Sequence, residues 1–204
     1  MKLIRIVIVC VFILGSAMRS PSAQHQEPGK STQTSTAKPA LTTPSSIQEE
    51  HKHLHHELDL AVASGGRTGA RAKAVADVLL PHFKAEEAYA MPPLGLLVAI
   101  AHDQPISAEQ ARQAIKMADQ LRAHYDQMIV EHQQIHTALE ALAAAARKEH
   151  KPEALAFAEA LILHAQNEEQ VLYPATLLVG KYLTLRQAAE PHRNPSHAGV
   201  PATP

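Results

Sequence analysis

Four pairs of metal-capable side chains, each spaced four residues apart, recur along this chain: His51 with His55, His82 with Glu86, His132 with His136, and His164 with Glu168. On a helix, residues four apart project from one face, a turn above each other, so each pair can converge on one small volume. The pairs also fall within apolar stripes. Val75, Leu79, His82, Glu86 and Ala90 share a face in the second stretch, and Tyr125, Met128, His132, His136, Leu139 and Ala143 in the third. Phe157, Leu161, His164, Glu168 and Val171 do so in the fourth. Amphipathic stripes of this period are packed against other helices. Burying imidazoles and carboxylates without partners is costly, so the pattern asks for four helices facing one another around a cation. A single inward histidine is more commonly a hydrogen-bonded core residue; four pairs on consecutive helices argue for a shared site.

Composition agrees with an all-α fold. Of 204 residues 46% are hydrophobic but only 3% aromatic, and with 8 Gly and no Trp the apolar material suits helix packing better than a sandwich of short strands. A formal net charge of −1 leaves no basic footprint for nucleic acid. The outlier is 14 His, imidazole being the commonest metal ligand.

The chain also repeats itself. Glu50-His51-Lys52-His53-Leu54-His55 resembles Glu131-His132-Gln133-Gln134-Ile135-His136, and His82-Phe83-Lys84-Ala85-Glu86-Glu87 resembles His164-Ala165-Gln166-Asn167-Glu168-Glu169. The two offsets are 81 and 82 residues, and Pro92 and Pro174 keep the second. A duplicated helical hairpin packed about an approximate two-fold axis follows, with a paired site on that axis.

Punctuation marks four helices. The first spans about 47–63 and stops at Ser64-Gly65-Gly66; the second spans about 68–91, with a kink expected at Pro81, and stops at Pro92-Pro93. Ser107 with Gln110 three residues on starts the third as a capping box. That stretch runs to Lys148, long enough to suggest a break near His124, and the fourth starts at Pro152 and passes Pro174 before Gly180. The expected architecture is an up-down-up-down four-helix bundle over residues 47–183, with disordered N- and C-terminal tails.

Residues 1–23 read as a secretory signal peptide, with Lys2 and Arg5 ahead of an apolar run from Ile6 to Leu14 that is short for a membrane span; an uncleaved N-terminal anchor is the alternative. The expected location is periplasmic or secreted, with membrane association only if the segment is retained. Cys10 is the one cysteine, so cleavage leaves no thiol for catalysis, disulfides or metal. Residues 24–46 read as a disordered Ser/Thr/Pro linker, and 184–204 as a Pro-rich tail containing His192 and His197.

Imidazole and carboxylate without thiolate suit Fe, Zn, Mn or Cu, and the donors are too many for one tetrahedral zinc. Two six-coordinate ions bridged by Glu86 and Glu168 would use them all. A ferritin-like site would need four carboxylates and Glu-x-x-His on two helices, and the one such string in the helical region, Glu50 to His53, has no counterpart in the repeat. Glu87 and Glu169 stand beside the inward carboxylates, as outer hydrogen-bond partners or facing solvent. His53, His56, His102, His124 and His150 read as surface residues, and Tyr89, Tyr125 and Tyr173 as core packing.

The order His51, then His82 with Glu86, His132 with His136, and His164 with Glu168 resembles the hemerythrin and HHE cation-binding family over about 47–182. The resemblance implies two non-haem iron ions bridged by an oxo or hydroxo group, with Mn or Zn as other ions such a site accepts. It also implies functions within that family's range: binding or sensing O₂, handling iron, or consuming peroxide or nitric oxide as an enzyme. Two departures matter. The family's oxygen carriers place an aspartate five residues after the last histidine, where this chain has Glu169, leaving Glu168 and Glu169 both open as the bridge. His55 is either a sixth histidine ligand that fills the site or an outer donor beside an open position. A metal-free helical interaction domain is the remaining alternative. No nucleophile constellation or phosphate loop is present.

Overall fold

The computed structural model describes residues 41–189; the signal segment, most of the linker, and the tail with His192 and His197 lie outside them. Helix α1 (Ser45–Ala63) buries Ile47, His51, Leu54, Leu58 and Ala61, an alternation of four- and three-residue steps that keeps one seam facing inward. It ends where Gly65 and Gly66 take φ of 69° and 62°, a left-handed backbone that a side chain would strain. Helix α2 (Gly66–Ala85) follows and stays helical through Pro81, which is exposed. Its first turn is closed from outside: the Glu149 carboxylate accepts from the Arg67 and Thr68 N–H groups and the Thr68 hydroxyl at 2.8–2.9 Å.

Past α2 the chain makes a π turn (Glu86–Ala90), a 3₁₀ turn (Pro92–Leu96) and a short α3 (Leu97–Ala101). Helix α4 (Ala108–Glu149) then runs 42 residues without a break, starting at the Ser107–Gln110 capping box. The break expected near His124 does not occur, because the inward stripe continues through Ala118, Leu121 and Met128. The early part of α4 packs on the last helix and the 3₁₀ turn, and the later part on α2 and the fourth rod. It ends at His150, left-handed at φ 54°, where the Lys151 N–H reaches back to the Ala146 carbonyl at 2.9 Å.

The fourth rod is α5 (Pro152–Asn167), a second π turn (Glu168–Leu172) and α6 (Tyr173–Ala189). The helix passes both Pro174 and Gly180, so the boundary expected at 183 falls inside it. At the other end Leu41 already packs on the apolar cluster of Leu96, Val179 and Leu183, and α1 starts at Ser45, so ordered structure begins before 47. Long neighbours contact in the cycle α1, α2, α4, α5 and back to α1, joined by the tight turns at 64–65 and 150–151. This is the expected all-α bundle.

Two apolar clusters bracket its middle. Leu54, Leu58, Leu79, Phe83, Ile135, Leu139 and Leu161 lie on one side, and Met91, Leu94, Leu121, Met128 and Tyr173 on the other. Among the described residues no helix is long and apolar enough to cross a membrane.

Candidate metal centre

Between these clusters six histidine and glutamate side chains are buried: His51, His82, Glu86, His132, His164 and Glu168, none above 4% exposed. The helical seam explains which members of each pair arrive. On α2 and α5 the inward step after the histidine is four residues, to Glu86 and Glu168. On α1 and α4 it is three, to Leu54 and Ile135, which turns the fourth residue to the flank.

The structure therefore does not bring His55 or His136 into the cluster. His136 has a side chain 48% exposed, with Nδ1 3.6 Å from Glu140 on the same helix. His55 is half-buried and meets the Phe83 ring edge-on at 5.2 Å. Phe83 itself lies flat against His51, with ring centres 4.4 Å apart, and fills the space that His55 would enter.

Both copies of the repeat place a π turn at the inward glutamate. A π turn adds one residue and shifts the helix phase, and such turns gather at functional sites. Five residues beyond Glu86 and Glu168, Met91 and Tyr173 are fully buried, while Val171, expected on the inward stripe, is 53% exposed. Tyr173 is the site residue that the sequence pattern hid, because α-helical spacing continued past Glu168 does not reach it.

The cluster has two halves. In one, His82 Nε2 is 3.3 Å from Glu86 Oε1 and His132 Nε2 is 3.5 Å from Glu168 Oε2. In the other, His164 Nε2 and His51 Nε2 are 3.0 and 3.6 Å from Glu168 Oε1, and His51 Nε2 is 4.0 Å from Glu86 Oε2. Each glutamate thus turns one oxygen to each half. Donors about 2.1 Å from a common octahedral ion sit roughly 3.0 Å apart when adjacent and 4.2 Å when opposite. The donor atoms of His82, Glu86, His132 and Glu168, and those of His51, His164 and Glu168, fall within 4.8 Å of one another. His51 Nε2, both ring nitrogens of His164, Glu86 Oε2 and Glu168 Oε1 are buried without a hydrogen bond, a condition a native interior avoids unless something else satisfies them. Donor type and spacing fit a cation in each half.

A ring of outer carboxylates orients the imidazoles. His51 Nδ1 is 3.4 Å from Glu87, His82 Nδ1 2.8 Å from Glu131, His132 Nδ1 2.9 Å from Glu169, and His164 Nδ1 3.1 Å from Glu50. Each glutamate comes from the next rod around the bundle, so the ring closes through all four. A carboxylate hydrogen-bonded to Nδ1, as at His51, His82 and His132, fixes the tautomer that presents Nε2 inward and makes it a better donor, whereas Glu50 acts on His164 through its charge without a hydrogen bond. Glu169 therefore stands outside the cluster and Glu168 inside it. Glu87 and Glu169 were expected near the site; Glu50 and Glu131 were not, although the repeated Glu-His phrase carried the signal.

The electrostatics show a cluster that seeks positive charge. Burial and the charge of Glu168 push Glu86 above the usual carboxylate range. Burial pushes Glu168 the same way, but contacts with His132, His164 and His51 overcome it and hold it well below. At His82 and His164 burial opposes the charged ring, yet Glu86 with Glu131, and Glu168 with Glu50, raise both to about 9. Without a cation, protons supply the charge.

The sequence pattern described as Hemerythrin HHE cation binding domain matches residues 43–176, about two thirds of the chain. The chain belongs to the hemerythrin HHE cation-binding family. No curated protein and no solved structure matches it. The matched span contains all six buried donors of this hemerythrin-like domain and its four outer carboxylates, so the His/Glu cluster fits the cation site for which the family is described.

Proposed function

We propose that this hemerythrin-like domain binds two iron ions, one in each half of the cluster and bridged by Glu86 and Glu168, and uses them to bind or sense O₂ or a related small ligand. The observation that carries this reading is the division of each inward glutamate between two pairs of histidines. One ion would leave half of the donors unused. Nitrogen and oxygen donors in this number suit octahedral iron, with Mn or Zn as competitors. Bound iron would supply a redox-active centre able to accept an outside ligand.

The chain's own contribution is placement. The outer glutamates hold the His51, His82 and His132 rings in one tautomer, and the flanking apolar clusters keep bulk water from above and below. His51 and Glu87 border a cleft of about 290 Å³ with Thr43, Gln48 and Lys52, a size that suits approach by a small molecule. The charged-then-apolar pattern of 1–23 supports export, which would place the domain where oxygen and peroxide arrive first.

Anaerobic Fe(II) titration tests the metal reading: two ions per chain are expected, and Glu168→Ala should abolish the pair. Fewer than one bound ion per chain at saturation would return the domain to a metal-free interaction module. Adding O₂ to the reduced, loaded protein should give a reversible change in absorption. Absence of any change would remove the gas-binding part, and steady peroxide turnover would make the protein an enzyme instead.

A further inference from the structure

The two halves of the cluster are built differently. In the His82/His132 half the Tyr173 hydroxyl lies 3.3 Å from His82 Nε2 and 3.3 Å from His132 Nε2, and donates to Glu86 Oε1 at 2.5 Å. Its ring stacks on His132, centres 5.6 Å apart and planes 16° apart, with Tyr125 edge-on behind it at 6.2 Å. The residue is wholly buried and opens α6 just after the second π turn. At the same place after the first π turn stands Met91.

We infer that Tyr173 is a ligand of the ion in the His82/His132 half, bound through its phenolate oxygen, and that the two metal positions are consequently unequal. The inference rests on the two-ion reading above. Its basis is donor spacing: an oxygen standing where the ion belongs would lie roughly 2.1 Å from the other donors, whereas a neighbouring ligand lies roughly 3.0 Å from them. The 3.3 Å distances from Tyr173 to the two imidazoles are of the second kind, and its contact with Glu86 is a short hydrogen bond that the phenol donates. Stacking on His132 and the rigid start of α6 hold the oxygen there before any ion arrives, which is the preorganisation a ligand needs.

Binding as phenolate releases the hydroxyl proton to solvent, so metal uptake should liberate one proton more in the native chain than in Tyr173→Phe. The His82/His132 position then has five protein donors: two imidazoles, one oxygen from each glutamate, and the tyrosine. The His51/His164 position has three close donors, His51, His164 and Glu168, with Glu86 Oε2 4.0 Å from His51 Nε2 as a more distant fourth. Surface clefts border both halves, one at His51 and Glu87 and one of about 360 Å³ at His132 and Glu169, so it is the smaller donor count that leaves the His51/His164 ion the more open to an outside ligand. A hard anionic oxygen also favours Fe(III) over Fe(II) in the first position.

Iron-loaded, oxidised protein supplies the test. A phenolate bound to Fe(III) gives an intense visible charge-transfer band, and Raman excitation within that band enhances ring vibrations that shift in protein grown with ring-deuterated tyrosine. Both are expected in the native chain. Tyr173→Phe, which keeps the ring and its stacking, should lose the band while still binding two irons. Two irons without a deuterium-sensitive band in the native chain would overturn the tyrosine ligand and leave the metal centre standing, as would a band that persists in Tyr173→Phe. No bound iron at all would remove both. The deuterium measurement needs no variant and tests for a tyrosine ligand even if Tyr173→Phe fails to fold; with unchanged bands in Tyr89→Phe and Tyr125→Phe it assigns the ligand to Tyr173, and loss of the band in either would overturn that assignment.

Discussion

His132 and His136 stand one turn apart on α4, yet the first is 4% exposed and the second lies at the surface against Glu140. What separates them is the 40° or so by which a four-residue step overshoots a full helical turn, together with the demand that Ile135 occupy the seam. The outer partner then decides how good a donor the buried ring becomes. Glu131→Gln and Glu169→Gln should each weaken metal affinity by about 10- to 100-fold, measured by competition with a chelator, with two ions still bound at saturation. His136→Ala should leave both affinity and stoichiometry near the native values. An affinity loss on His136→Ala matching that of Glu169→Gln would mean that the ring swings inward on loading.

At the scale of elements, the two π turns and the unbroken α4 do most to shape the site. Each π turn begins at an inward glutamate and rephases the helix, which lets the fourth rod present His164, Glu168 and Tyr173 to one interior. The first copy stops at Pro92-Pro93 whereas the second carries on through its single Pro174, so only the second provides a long helix beyond the cluster. That helix lies tightly on α4, since a Cβ on Gly180 would come 2.4 Å from the Ala118 Cβ. Gly180→Ala is expected to destabilise the fold by about 1–3 kcal/mol through overpacking, read as a lowered unfolding midpoint. Adding Ala118→Gly should recover much of the loss, since the clash is between these two methyl groups.

For the whole molecule, the charge balance of the centre links stability to pH. His82 and His164 have folded values of about 9, above the ordinary 6.5. Their contribution is fully present below the unfolded value and is lost as pH rises through the folded one. Protein stripped by a chelator should therefore lose several degrees of thermal stability between about pH 6.5 and pH 9. Loaded protein should not follow this trend, because its imidazoles are already neutral when they hold an ion and protons compete with binding at the acidic end. Thermal melts of both forms across that range check the opposition. A stripped form that gains stability toward pH 9 would show that protons are not what balances the glutamates.

Much of this was written in order along the chain. Helical period, the glycine and proline stops, the Ser107 box and the repeat are local properties, and they specified an all-α bundle and placed His51, His82, Glu86, His132, His164 and Glu168 on inward faces. The family resemblance rested on these residues together with His136, and the same period also put His55 and His136 on the inward faces. Local spacing could not decide how far each helix is rotated, since that is set by the side chains of three neighbouring rods packing at once. Phe83 against His51 displaced His55, Ile135 displaced His136, and the π turn after Glu168 substituted Tyr173 for Val171. The outer ring is likewise a property of the closed bundle: every histidine takes its carboxylate from a different helix, and no pattern within one helix can say which glutamate that will be.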